Sequence, residues 1–228
     1  MLEIFYEDKE IIVVKKPVGM EAQSTHSFAP DLVSEIRKYI SRLSTVEGES
    51  YVGVIHRLDK PVGGIMIYAK TKRAAAALSR QVQEGKMQKM YMAVVCGRPV
   101  DNVDNFVDYL LKDKGSNVSK IVEKRINGAK RAELKYEVMG TVEEERVLTL
   151  VKVWLITGRH HQIRVQFAGH GYPLWGDSRY NPGFAGRKEP IGLSACGLRF
   201  VHPVTEEEMR FEMEPEGEIF KKFCVRYL

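Results

Sequence analysis

Three separated groups of side chains in this sequence have the types and spacings that chemistry on a substrate needs. The first is His56-Arg57-Leu58-Asp59, followed by Gly63-Gly64 and the apolar run Ile65-Met66-Ile67-Tyr68-Ala69. A carboxylate is a usable nucleophile or base only if it stays ionised and is held still. A neighbouring arginine favours both, through its charge and its planar donor fork. On an extended segment Arg57 shares a face with Asp59, but it could equally turn toward a ligand. The second group is Gln162-Ile163-Arg164-Val165. Arg164 lies between inward-facing apolar neighbours, and a long cation in that position needs an anionic partner. Asp59 is one such partner; a buried structural ion pair would leave the same trace. The third group is Lys89-Met90-Tyr91-Met92-Ala93. Strand alternation puts Tyr91 on one face with Ala93 and Val95, as a core residue or as a ring that stacks on a nucleobase with its hydroxyl ready for proton transfer.

The elements that must position these groups can be read from periodicity. Glu3–Tyr6 and Ile11–Val14 read as short strands, closed by Lys16-Pro17-Val18-Gly19. Asp31 caps a helix running to about Leu43, with Leu32, Ile36, Tyr39, Ile40 and Leu43 on one face, and Ser44–Ser50 reads as a loop. The apolar run at 64–69 has the signature of a strand buried on both faces. Thr71 caps a second helix through Glu84, which Gly85 ends. Strands are expected at Met90–Val95, Phe106–Leu110, Arg131–Met139, Val147–Leu155, Ile191–Ala195, Leu198–Val201 and Met209–Glu212. Thr157-Gly158-Arg159 opens a third helix, and a short one follows Pro215. Few helices, many strands and no strict βαβ alternation indicate an α+β fold with a mixed, mostly antiparallel central sheet.

At 228 residues, 44% hydrophobic and 29% charged, the chain can bury one large core or two small ones. No stretch has linker composition, so a single domain over 1–228 is expected. Residues 112–131 hold Lys112, Lys114, Lys120, Lys124, Arg125, Lys130 and Arg131 against only Asp113 and Glu123, an excess equal to the +5 of the whole chain. Such a segment is either a solvated loop or a flap that tracks the phosphates of a polyanion. Cys96, Cys196 and Cys224 are widely spaced without a C-x-x-C pair, which fits reduced thiols in the cytoplasm. The acidic N-terminus does not resemble a secretory signal, and no apolar run is long enough to span a membrane. His160, His161, His170 and His202 complete no familiar metal spacing and read as caps, polar packing or RNA contacts. There is no phosphate loop either. Trp154 and Trp175 read as core or cleft wall.

Five motifs in order resemble the RluA family of pseudouridine synthases over nearly the whole chain. They are Tyr6-Glu7-Asp8 with Val13-Val14-Lys15-Lys16-Pro17-Val18-Gly19; His56-Arg57-Leu58-Asp59; Lys89-Met90-Tyr91-Met92-Ala93; Thr157-Gly158-Arg159 through His161-Gln162-Ile163-Arg164-Val165; and Gly171-Tyr172-Pro173 with Gly176-Asp177 and Tyr180. The resemblance implies a pseudouridine synthase fold with an RNA-binding cleft, and an isomerase that moves the glycosidic bond of a uridine from N1 to C5, a reaction for which neither metal nor cofactor is expected. It implies that Asp59 is the catalytic aspartate, that Arg164 pairs with it, and that Tyr91 stacks on the detached uracil. Arg57 would fill the space left by the flipped base. Ile163 and Leu193 would wall the site. His56, Arg159, Lys120, Lys124 and Arg125 are further candidate contacts to RNA, ribosomal or transfer. A monomer without the family's frequent N-terminal RNA-binding module is expected.

There are departures from the family pattern. Val62-Gly63-Gly64 stands where Thr-Ser-Gly is usual, so two hydroxyls beside the aspartate are missing. His160, Gln166 and Ser194 replace a common Thr and two common His residues. The alternative is a non-catalytic RNA-binding or ribosome-assembly factor on the same fold. Retention of Asp59, Tyr91 and Arg164 speaks against it.

Overall fold

In a computed structural model, which describes residues 2–24, 30–43, 51–113 and 115–223, the apolar runs become strands. In chain order these are β1 (Ile4–Glu7), β2 (Ile11–Lys16), helix α1 (Leu32–Leu43), β3 (Gly53–Val54), β4 (Gly63–Ala69), α2 (Lys72–Gln83), β5 (Gln88–Cys96), β6 (Val103–Asp113), β7 (Val118–Val122), β8 (Lys130–Glu143), β9 (Val147–Leu155), α3 (Gln162–Gly169), β10 (Leu193–Val201) and β11 (Glu208–Glu212). The architecture is α+β. The chain forms two compact units, Met1–Lys89 with Ala195–Met213, and Met90–Ser194 with Glu214–Leu228.

In the first unit β2 pairs antiparallel with both β1 and β4, β3 pairs with the end of β4, and β11 pairs with β10. All seven residues of β4 are buried, as its unbroken apolar run requires. One sheet face, with Ile11, Val13, Ile65 and Ile67, packs on Ala74 and Leu78 of α2 and on Met87, Leu198 and Phe200. Both helix starts are set as their sequences dictate. Asp31 Oδ1 accepts from the Ser34 N–H at 2.7 Å, and Thr71 Oγ1 accepts from the Ala74 N–H at 3.1 Å.

The second unit is built on the strand order β5-β9-β8-β6-β7. The β9–β8, β8–β6 and β6–β7 pairings are all antiparallel. Phe106, Tyr136 and Phe167 form an aromatic cluster with ring centroids 5.0 to 5.5 Å apart. The expected one-sided alternation in β5 gives way to burial of every residue from Met90 to Val95.

Four local expectations need correction. The third helix opens at Gln162, because the Thr157 N–H and Oγ1 are engaged by the Glu133 backbone and extend the β8–β9 ladder. The two strands expected at 191–195 and 198–201 are one strand, β10. The helix after Pro215 is a single 3-10 turn, Glu218–Lys222. Strand β7 lies inside the basic segment, where only a loop or flap was expected. The loop at 44–50 and Cys224 lie outside the described residues.

Candidate active site

Asp59 opens a tight turn into β4, closed by a 2.9 Å bond from the Val62 N–H to the Asp59 carbonyl. The next carbonyl, Lys60 O, accepts from the Gly19 N–H at 2.9 Å and from Lys16 Nζ at 3.2 Å. Lys16 Nζ also donates to Met20 O at 2.6 Å and to Pro17 O at 3.0 Å. This ammonium is 0% exposed. Burial lowers its pKa to about 8, against the opposing pull of Asp59 and Glu21. A buried cation therefore braces the Asp59 turn and acts electrostatically on its carboxylate. Sequence reasoning assigned Lys16 no role. Its register was the available signal, because Ile12, Val14 and Lys16 alternate onto one face of β2 and the lysine thus points inward.

Of the neighbouring signature residues, Leu58 is buried, while Arg57 is exposed and donates to Gln23 Oε1 at 3.1 Å. His56 turns toward β4, where its Nε2 accepts from the Ile67 N–H at 3.4 Å. Burial, reinforced by the charge of Lys89, lowers the His56 pKa to about 3, so the ring is neutral at physiological pH. That gives it no charge with which to hold a phosphate. Gly64 has φ +128°, and a Cβ there would lie 2.2 Å from the Ala195 carbonyl oxygen, so β4 begins with a backbone approach that only glycine allows.

In the second unit the Arg164 guanidinium is gripped by Asp177, with Nε–Oδ2 at 2.8 Å and Nη2–Oδ1 at 2.7 Å. Both side chains are buried, at 5% and 0% exposure. Asp177 Oδ1 accepts in addition from the N–H groups of Arg179 and Tyr180, at 3.0 and 3.2 Å. The turn that delivers Asp177 depends on Gly176, with φ +71° and a would-be Cβ 2.1 Å from Pro190 O. In the sequence Asp177 stands out only as part of a motif, and nothing there marks it as an anionic partner of Arg164. The Tyr180 ring lies beneath the guanidinium, 5.2 Å from centroid to Cζ. Ile163, Tyr91 and Leu193 are buried. Arg159 is exposed and donates from Nε to Arg131 O at 2.9 Å.

The basic segment is the β6–β7 hairpin and its continuation into β8. Lys112, Lys120, Lys124 and Lys130 are exposed on it. Arg125 and Arg131 form surface ion pairs with Glu123 and Glu133, at 2.6 and 2.5 Å. Lys124 Nζ lies 6.0 Å from the Tyr109 ring centroid. Trp154 is half-buried, with the Lys135 and Lys152 ammonium groups 5.9 and 5.8 Å from its ring centroid, and local contacts also hold His170, His202 and Trp175. His170 stacks on Phe106 at 3.8 Å and meets Asp108, while buried His202 meets Asp8 at 2.8 Å. Trp175 packs edge-on against Phe184.

Residues 10–169 match the model of the RNA pseudouridylate synthase family, and the chain belongs to that family of isomerases. Within it the chain is an RluA-family pseudouridine synthase. It is 35% identical to an uncharacterized RNA pseudouridine synthase of Aquifex aeolicus (strain VF5), over 96% of this chain and 71% of that one. It is 33% identical to ribosomal large subunit pseudouridine synthase C of Escherichia coli (strain K12), over 99% and 69% of the two chains. The structure of human RNA pseudouridylate synthase domain containing 1 shares the fold, with a TM-score of 0.77 at 20% identity, covering 94% of this chain and 84% of that one. No helix among the described residues is long and apolar enough to cross a membrane.

Proposed function

We propose that this protein isomerises a specific uridine of ribosomal or transfer RNA, with Asp59 as the catalytic carboxylate. The observation that carries this reading is the Asp59 turn. It is half-buried and pinned through its backbone by a buried ammonium that also attracts the carboxylate. A turn that served only as a connection would not need a desolvated cation. The reaction breaks C1′–N1 and forms C1′–C5; the C5 proton leaves and N1 gains one. Asp59 starts it by attack on the ribose or the base, or by taking a sugar proton. Tyr91 stacks on the freed uracil, and Arg164, fixed by Asp177, keeps Asp59 oriented. Arg57 is exposed and able to enter the space left by the flipped nucleotide. The exposed lysines of the β6–β7 hairpin hold RNA phosphates. The names of relatives that act on the ribosomal large subunit favour ribosomal RNA as the first substrate to try.

The test is product mapping. Wild-type protein should form pseudouridine in unmodified ribosomal or transfer RNA, and Asp59→Ala should form none while still binding. Binding by both without product from either would reject catalysis in favour of a binding factor.

A further inference from the structure

Strand β7 carries one buried residue that is polar, Ser119, and its bonds run to the segment around Arg164. The Ser119 N–H donates to Tyr180 Oη at 2.8 Å, and Tyr180 Oη meets His161 Nδ1 at 2.9 Å. The Ser119 hydroxyl donates to the His160 carbonyl at 3.0 Å and lies 2.9 Å from His160 Nδ1. The rings of His160 and His161 stack at 3.7 Å. Tyr180 in turn underlies the Arg164 guanidinium, and its own N–H is held by Asp177. Three further contacts fasten the same hairpin. Arg179 reaches Ser116 O at 3.4 Å, Val165 packs with Leu110 and Ala132, and Ile121 sits so close to Gly169 that a Cβ there would lie 2.3 Å from its Cδ1.

We propose that Ser119 is a positioning residue: with Tyr180 and His160 it latches the basic β6–β7 hairpin to Arg164, so that RNA held on the hairpin sets the Arg164–Asp177 pair for catalysis. A hairpin that only gathered phosphates would need an apolar seat, such as Val165 with Leu110 already provides. Here the N–H and the hydroxyl of one residue are committed to Tyr180 and His160, which lie on either side of the arginine in sequence. These are directional hydrogen bonds that either form or break, the property a coupling element needs. The inference rests on the proposed role of Arg164 and on hairpin contact with RNA.

The test uses the full chain with RNA labelled with tritium at uridine C5, from whichever pool, ribosomal or transfer, the wild type turns over. Single-turnover tritium release at saturating RNA, RNA affinity and melting temperature are measured for Ser119→Ala, Ser119→Thr and Tyr180→Phe. Ser119→Ala and Tyr180→Phe should slow release about tenfold with affinity within about threefold. Ser119→Thr, which keeps the hydroxyl, should restore it. Lys120→Glu should slow release at saturation in the wild type but add little to Ser119→Ala, because the latch through which it acts is already open. Release within twofold of wild type in both latch variants would overturn the proposal. So would failure of Ser119→Thr to rescue, or a Lys120→Glu effect equal in both backgrounds. Arg164→Ala separates the premises. If it releases tritium normally, the reading of Arg164 fails; if it is slow while the latch variants are normal, only the latch fails.

Discussion

Arg164 and Asp177 form a two-donor ion pair that is almost wholly buried, 13 residues apart in sequence and bridging α3 to the turn after it. Removing one member of a buried pair generally costs about 3–5 kcal/mol, because the other charge has been desolvated. Asp177→Ala should therefore lower stability by about that amount in urea unfolding. Asp177→Asn keeps the shape but loses the charge; it should slow single turnover by about tenfold with RNA affinity within about threefold. An Asn variant at full rate would mean that Arg164 needs no anchor.

The ammonium of Lys16 gives the Asp59 turn a pH limit. With its pKa lowered to about 8, the charge is present below that pH and lost as pH rises through it. The rate of the chemical step should fall on the alkaline side by about tenfold between pH 7 and 9. Lys16→Met should be slow throughout and lack this limb. Linkage moves stability the other way. A lysine whose folded pKa lies below its unfolded value of about 10.5 makes the folded state more stable as pH rises from 8 to 10.5. Parallel loss of rate and stability above pH 8 would point to alkaline unfolding instead.

Gly63 and Gly64 look equivalent in sequence but are not. Gly64 has a left-handed φ and a backbone oxygen where a Cβ would go, whereas the nearest atom to a Cβ at Gly63 is Val18 Cγ2 at 3.0 Å, the end of a side chain that can move. Gly64→Ala should cost roughly 3 kcal/mol or more, and Gly63→Ser about 1 kcal/mol. Equilibrium unfolding of the two variants decides it. Equal costs would remove the special status of Gly64.

Charge on the hairpin should be visible in salt dependence. Lys120 and Lys124 are exposed on or just after β7. If each meets one phosphate, Lys→Glu at either should weaken RNA binding and flatten the slope of log K against log[salt] by about 0.7–0.9. Binding titrations at several salt concentrations measure this, and an unchanged slope would assign the lysines to solvent.

Elements that satisfy one physical rule at short range were legible in the sequence. Strand β4 is an unbroken apolar run, and α2 begins at a threonine whose hydroxyl caps it three residues on. The features that were missed depend on polar partners far away. Strand β7 was hidden because its buried position is a serine, satisfied by Tyr180 and His160, 61 and 41 residues distant. A search for apolar alternation does not register such a position. Asp177 was overlooked for a related reason: an aspartate after glycine reads as a turn residue until its arginine is in place. Lys16 alternates inward like an apolar residue but ends in a charge, and three carbonyls from two loops are needed to explain it.

The Lys16 clamp grips backbone oxygens, those of Pro17, Met20 and Lys60. Its hold is therefore blind to which side chains the Asp59 turn carries. Such a turn can exchange its hydroxyls for Val62 and Gly63, and with them its contacts to a substrate, while the carboxylate stays where it was. Anchoring by main chain leaves the rim of the site open to drift and puts much of the selection for its geometry on a lysine in another strand.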